Sequence, residues 1–141
     1  MKKNVMLSIE GRQSYAEQEP EIIELVTEGT LEQTEFGWII SYEESELTGM
    51  QGVTTTFQIE DKKLTLTRTG RLNSQMIFQE GIRHESLYQM EFGALMLSVC
   101  ARKIHTQLSA DGGVIDLAYG IEIEQTEAGV IEYHLDIKAK D

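Results

Sequence analysis

Cysteine and proline are almost missing from this chain, with Cys100 and Pro20 the single example of each in 141 residues. One cysteine forms no intrachain disulfide, and it excludes a multi-cysteine zinc site or an iron–sulfur cluster built by one copy. Basic residues are also scarce: 12 Lys+Arg stand against 24 Asp+Glu, for a formal net charge of −12. A field of that sign repels phosphates, so neither a nucleic acid nor an anionic membrane surface is an expected partner. No apolar run approaches the roughly 20 residues of a membrane-spanning helix. Residues 1–8 contain only three apolar side chains in succession, against about 7–15 in a secretory signal, so the expected location is cytoplasmic.

What the chain does have is alternation. With 40% hydrophobic residues and no long linker or low-complexity stretch, one domain spanning 1–141 with one core is expected. Leu64, Leu66, Arg68, Gly70, Leu72, Met76, Phe78, Ile82, His84, Ser86, Tyr88 and Met90 all fall on even positions, separated mostly by polar residues. A period of two is the mark of a β-strand with one face toward a core. Val5, Leu7 and Ile9 alternate in the same way, as do Trp38, Ile40 and Tyr42, and Thr55, Phe57 and Ile59. In the last third, Ile115, Leu117, Tyr119, Ile121 and Ile123 are followed by Ile131, Tyr133, Leu135 and Ile137, with a turn assigned to residues 126–129. Glu60-Asp61-Lys62-Lys63 and Asp111-Gly112-Gly113 supply further turns. Turn signals about every ten residues predict an all-β antiparallel meander of about eight to ten strands, which closes on itself because no helix is available to cover its edges.

Two stretches admit a second reading. Leu87, Met90, Ala94, Leu97, Ala101, Ile104 and Leu108 follow a seven-residue spacing compatible with a helical face. As strands, Leu95, Leu97 and Val99 alternate, and Ile104, Thr106 and Leu108 do so with the opposite parity, so a bulge near residues 101–103 is required. Strands are the favoured reading. Ile22, Ile23, Leu25 and Val26, after Pro20, fit either an extended run or a helical turn.

Leu66-Thr67-Arg68-Thr69-Gly70, then Phe78 and Gly81, Tyr88 with Gly93 and Leu95, and finally Gly113-Val114-Ile115-Asp116-Leu117-Ala118-Tyr119 form an order of features that resembles the DUF1934 family, the YwiB-like group of small bacterial proteins. The resemblance runs over about residues 41–138 and implies a calycin-like β-barrel, the architecture shared with lipocalins and fatty-acid-binding proteins. It implies no activity, cofactor or catalytic residue.

Chemistry is sparse. His84, His105 and His134 are far apart, and no metal-ligand spacing, nucleophile elbow or phosphate-cradling glycine loop occurs. No catalytic residue, metal or cofactor is therefore expected, and no enzymatic activity is assigned. Cys100 reads as an inert buried thiol in an apolar strand, and the acidic residues 43–46 read as a solvated loop. Arg68 and His84 stand out because they share the parity of the buried side chains, and a buried guanidinium must find a partner. Either a barrel carboxylate such as Glu80 pairs with it, or it anchors the carboxylate of a ligand. Trp38, Tyr42, Tyr88, Tyr119 and Tyr133 are expected on inward faces, where they fill a small barrel or line a pocket. The candidate ligand-binding residues are thus Arg68, His84, Tyr88, Trp38, Tyr42 and Tyr119. The leading expectation is a cytoplasmic binding module for a small apolar or organic-acid ligand in the barrel lumen. The alternative is an interaction or regulatory protein with a packed barrel and an acidic binding surface. Protein partners and self-association are left open by the residues.

Overall fold

The computed structural model describes residues 2–14, 19–44, 51–90, 93–124 and 126–140, and the side chains of all of these except 88–90 and 126–128. The described residues form ten strands: β1 (Lys2–Ser14), β2 (Glu21–Gln33), β3 (Gly37–Glu43), β4 (Val53–Glu60), β5 (Lys63–Gly70), β6 (Ser74–Phe78), β7 (Arg83–Met90), β8 (Gly93–Ser109), β9 (Gly112–Ile123) and β10 (Thr126–Ala139). They make one antiparallel sheet in the order β6-β5-β4-β3-β2-β1-β10-β9-β8-β7. Each strand pairs with its neighbours in sequence except β6 and β7, which are the two edges, and β1 also pairs with β10, Leu7 facing Ile137 and Ile9 facing Leu135. The first and last strands thus join two meanders into a nearly closed barrel.

The remaining gap lies between β6 and β7, where side chains replace the ladder. The turn joining these strands is held by a Gln79–Ile82 bridge and a parallel bridge from Glu80 to Ala101. The Ser86 hydroxyl donates to the Gln75 carbonyl, and His84 Nε2 donates to Gln79 Oε1 at 2.8 Å. Because carbonyls at such a seam have no strand partner, these few bonds carry the polar satisfaction that a ladder supplies elsewhere.

The alternation expected between Leu64 and Met90 holds for Leu64, Leu66, Arg68, Met76, Phe78 and Ser86, all buried, while Gly70 is exposed, Leu72 and His84 are half-buried, and the side chains of Tyr88 and Met90 lie outside the described residues. It fails at Ile82, which is 49% exposed in the turn at the seam. The second strand and, within 87–108, the described residues 87–90 and 93–108 are extended, not helical. Leu97, Val99 and Ala101 are all buried, and side chains two apart reach one side only on a strand. The expected bulge is present, as a register shift between Ala101 and Lys103 that swaps parity so that Ile104 and Leu108 pack on the core. The β9–β10 reversal, in contrast, sits around Glu124 rather than at residues 126–129, which already pair within β10 and contain a shift between Glu127 and Gly129. At the β8–β9 turn, Gly113 has φ of +147° and a Cβ there would lie 1.9 Å from the Gln107 carbonyl oxygen. Only glycine permits that approach.

Leu7, Ile40, Phe57, Leu66, Phe78, Ile115 and Leu135 have essentially no exposure, and the Phe78 and Tyr119 rings meet at 4.5 Å between centroids. The middle of the barrel is therefore filled by side chains. Replacing Ser86 by alanine strands the Gln75 carbonyl at the seam and is expected to lower stability by about 1–2 kcal/mol. Hydrogen exchange should then accelerate in β6 and β7 while β1 and β10 keep their protection. Equal acceleration in both regions would contradict the local role of this bond.

Candidate functional site at one end of the barrel

The filled middle leaves a cavity of about 110 Å³ at the end where β1, β3 and β5 finish and β2 and β10 begin. Its wall is Ile9, Gly11, Gln13, Ile23, Leu25, Tyr42, Glu44, Arg68, Ile131 and Tyr133. The aliphatic part comes from inward positions of β1, β2 and β10. The polar part comes from the ends of β3 and β5, one pleat beyond the leucines and isoleucines of the core.

Arg68 follows Leu64 and Leu66 on the inward face of β5, with Ser74 opposite it on β6. Only 7% of it is exposed. Its Nη2 donates to the Tyr133 hydroxyl over a long 3.4 Å, while its Nε and the Ser74 hydroxyl are buried with no hydrogen-bond partner. The ion pairs of the described residues join Lys3 to Asp111, Arg83 to Glu122, His134 to Asp116 and Asp136, and Lys140 to Glu28, and none includes Arg68. Burial works against the guanidinium charge, but the phenol oxygens of Tyr133, Tyr119 and Tyr42 outweigh it and hold Arg68 above its ordinary pKa. The side chain is a fixed cation turned into protein.

Tyr133 reaches Arg68 because Gly11 stands opposite it on β1, where a Cβ would come within 3.1 Å of the ring. Its ring stacks on Tyr119 at 6.5 Å. Tyr42 comes from β3, and its phenol is pushed well above the usual range by burial first, then by the Glu44 carboxylate that also accepts its hydrogen bond. It stays neutral at any physiological pH. Glu44 is 6% exposed, and its carboxylate also accepts from the Thr55 hydroxyl of β4.

Of the residues singled out from the sequence, Arg68 and Tyr42 line this cavity, and Tyr119 lies behind it within the field of Arg68. Trp38 sits at the opposite end of the barrel, beside Lys3, Leu31, Gln33 and Ala110. His84 is half-buried at the β6–β7 seam. Tyr88 is opposite Leu95 in β7, but its side chain lies outside the described residues. The carboxylate suggested for Arg68 was Glu80, yet Glu80 instead accepts from the Ile104 amide. The buried acid at the site is Glu44, which had been read as part of a solvated loop. Its signal was available, since it extends the inward parity of Trp38, Ile40 and Tyr42 by one more step. Cys100, read as buried, is half-buried and free on the opposite face of β8 from Val99 and Ala101.

A second polar group lies on the outer wall, where His134 Nδ1 is 2.6 Å from Asp116 Oδ1 and Nε2 is 3.5 Å from Asp136 Oδ2. Among the described residues no group of three or more His, Cys, Asp or Glu side chains is arranged to hold a metal ion. The hydrogen bond to Asp116 raises the His134 pKa above its ordinary 6.5, against a small opposing effect of burial and with help from Asp136. A raised folded-state pKa means that this stabilisation is complete below pH 6.5 and fades as pH rises through the folded value. Proton titration by NMR should therefore place His134 above 6.5, and Asp116→Asn should bring it down. An unmoved His134 midpoint in that variant would contradict the assignment.

Residues 7–137 match the family described as Domain of unknown function (DUF1934). The crystal structure of the ywiB protein from Bacillus subtilis is similar to this one with a TM-score of 0.88, covering 99% of this chain and 94% of that chain at 19% identity. At that identity the likeness concerns the fold alone. No curated protein matches the chain.

Proposed function

The chain belongs to the DUF1934 family, and from that premise we propose that it is a binding module for a small amphipathic molecule whose anionic head meets Arg68. One observation carries this reading: a guanidinium 7% exposed, with its Nε unpartnered, lines a cavity whose other walls are largely aliphatic. A buried cation held by one long bond is costly unless a further acceptor completes its shell, and a carboxylate fits the guanidinium fork best. The nearly closed barrel agrees with a ligand held inside it, and a calycin-like relationship is part of the same proposal. The cavity, at about 110 Å³, is well under the roughly 300–1,000 Å³ of drug-sized pockets, so the ligand is small. No described helix is long and apolar enough to cross a membrane, and a cytoplasmic site of action is part of the same proposal.

Short aliphatic carboxylates should raise the melting temperature of the protein. Arg68→Met should weaken their binding about ten- to a hundredfold, the effect of losing a hydrogen bond to a charged group, while far-UV circular dichroism stays unchanged. Absence of any shift across a broad panel of small acids and amphiphiles would overturn the reading.

The filled middle of the barrel and the net charge of −12 favour a second reading, an interaction protein that offers its acidic exterior to a basic partner. It predicts complexes that weaken steeply as ionic strength rises. Association indifferent to salt would remove it.

A further inference from the structure

The ten residues lining the cavity include two that carry formal charge, Arg68 and Glu44. Both are more than nine-tenths buried, at 7% and 6% exposure. Tyr42 is held neutral beside them, so among the described residues the wall has no net charge. That balance constrains what can enter. A simple carboxylate placed on Arg68 would leave one negative charge in excess in a region removed from water, with Glu44 in the same wall. An amine placed on Glu44 would leave one positive charge in excess. Either excess costs several kcal/mol of desolvation that the cavity does not return.

A ligand carrying both charges avoids this penalty, because it adds a cation and an anion to a wall that already holds one of each. The Thr55 hydroxyl and the Tyr42 phenol donate to Glu44 and fix its orientation in the wall. The remaining wall is aliphatic, with Ile9, Ile23, Leu25 and Ile131. A dry cavity of about 150 Å³ binds benzene, so 110 Å³ is the scale of a small molecule and well short of a long-chain fatty acid.

Resting on the binding reading above, we infer that the ligand is a small zwitterion with an aliphatic frame, an apolar amino acid, its carboxylate on Arg68 and its ammonium toward Glu44. The experiment is calorimetry with a frame-matched set: leucine, 4-methylpentanoate (leucine without the ammonium), 3-methylbutylamine (leucine without the carboxylate), and hexadecanoate. Leucine should bind the wild-type protein at least tenfold more tightly than the other three. Glu44→Gln should reverse the order of leucine and 4-methylpentanoate, and Arg68→Met should weaken both about ten- to a hundredfold. Should Glu44→Gln fail to fold, the wild-type ranking decides alone. If 4-methylpentanoate or hexadecanoate matches or exceeds leucine on the wild-type protein and depends on Arg68, the zwitterion falls and the binding module stands. If none of the four binds, the zwitterion falls, and a blank result in the broader panel as well removes the binding module with it.

Discussion

A positive charge shut inside a small barrel is the constraint around which the rest of this structure is arranged. The guanidinium of Arg68 cannot be neutralised by losing its proton, since arginine stays charged at every accessible pH, and it has little water to draw on. It has to be compensated by fixed dipoles and by charge in the same wall. The three phenols that raise its pKa, and Glu44 at the cavity, provide that environment. Tyr42 comes from the end of β3 and Glu44 from the residue just after it, Tyr119 from β9 and Tyr133 from β10, with Arg68 on β5, so the site exists only when these four strands are in register.

The register has its own cause. A barrel made by joining two meanders along β1 and β10 places the ends of β1, β3 and β5 together with the starts of β2 and β10. The middle of the lumen is packed by aliphatic and aromatic side chains, which leaves unfilled space only toward an end. Gly11 extends that space by letting the Tyr133 ring lie across β1. The bulge at Ala101 and Lys103 keeps both halves of a 17-residue strand facing the same core. A low-cost seam between β6 and β7 completes the wall without a continuous ladder, and it is the place where the barrel has least backbone holding it shut.

Much of this was legible in the residues because period-two patterning reports which side of a sheet a side chain occupies. The inward placement of Arg68, the strand character of residues 93–108 and the bulge all follow from parity alone. Height along the barrel does not. Trp38 and Tyr42 share one face of β3, yet four residues of extended chain put them at opposite ends, and no in/out pattern distinguishes them. Neither does parity reveal seams: His84 and Ile82 lie at the open β6–β7 edge, and they are more exposed than the pattern implies. Glu44 was missed for a different reason. A run of acidic residues suggests solvent, and composition outweighed the alternation that correctly points it inward.

The most direct measurement of the central claim is the exchange of the Arg68 Nε proton with water, read by arginine-selective ¹⁵N NMR on the folded protein. A guanidinium enclosed by the barrel gives a resonance that exchanges far more slowly than those of the surface arginines and disappears in Arg68→Met. An Arg68 proton exchanging as fast as a free arginine side chain would place the charge in bulk solvent and contradict the account.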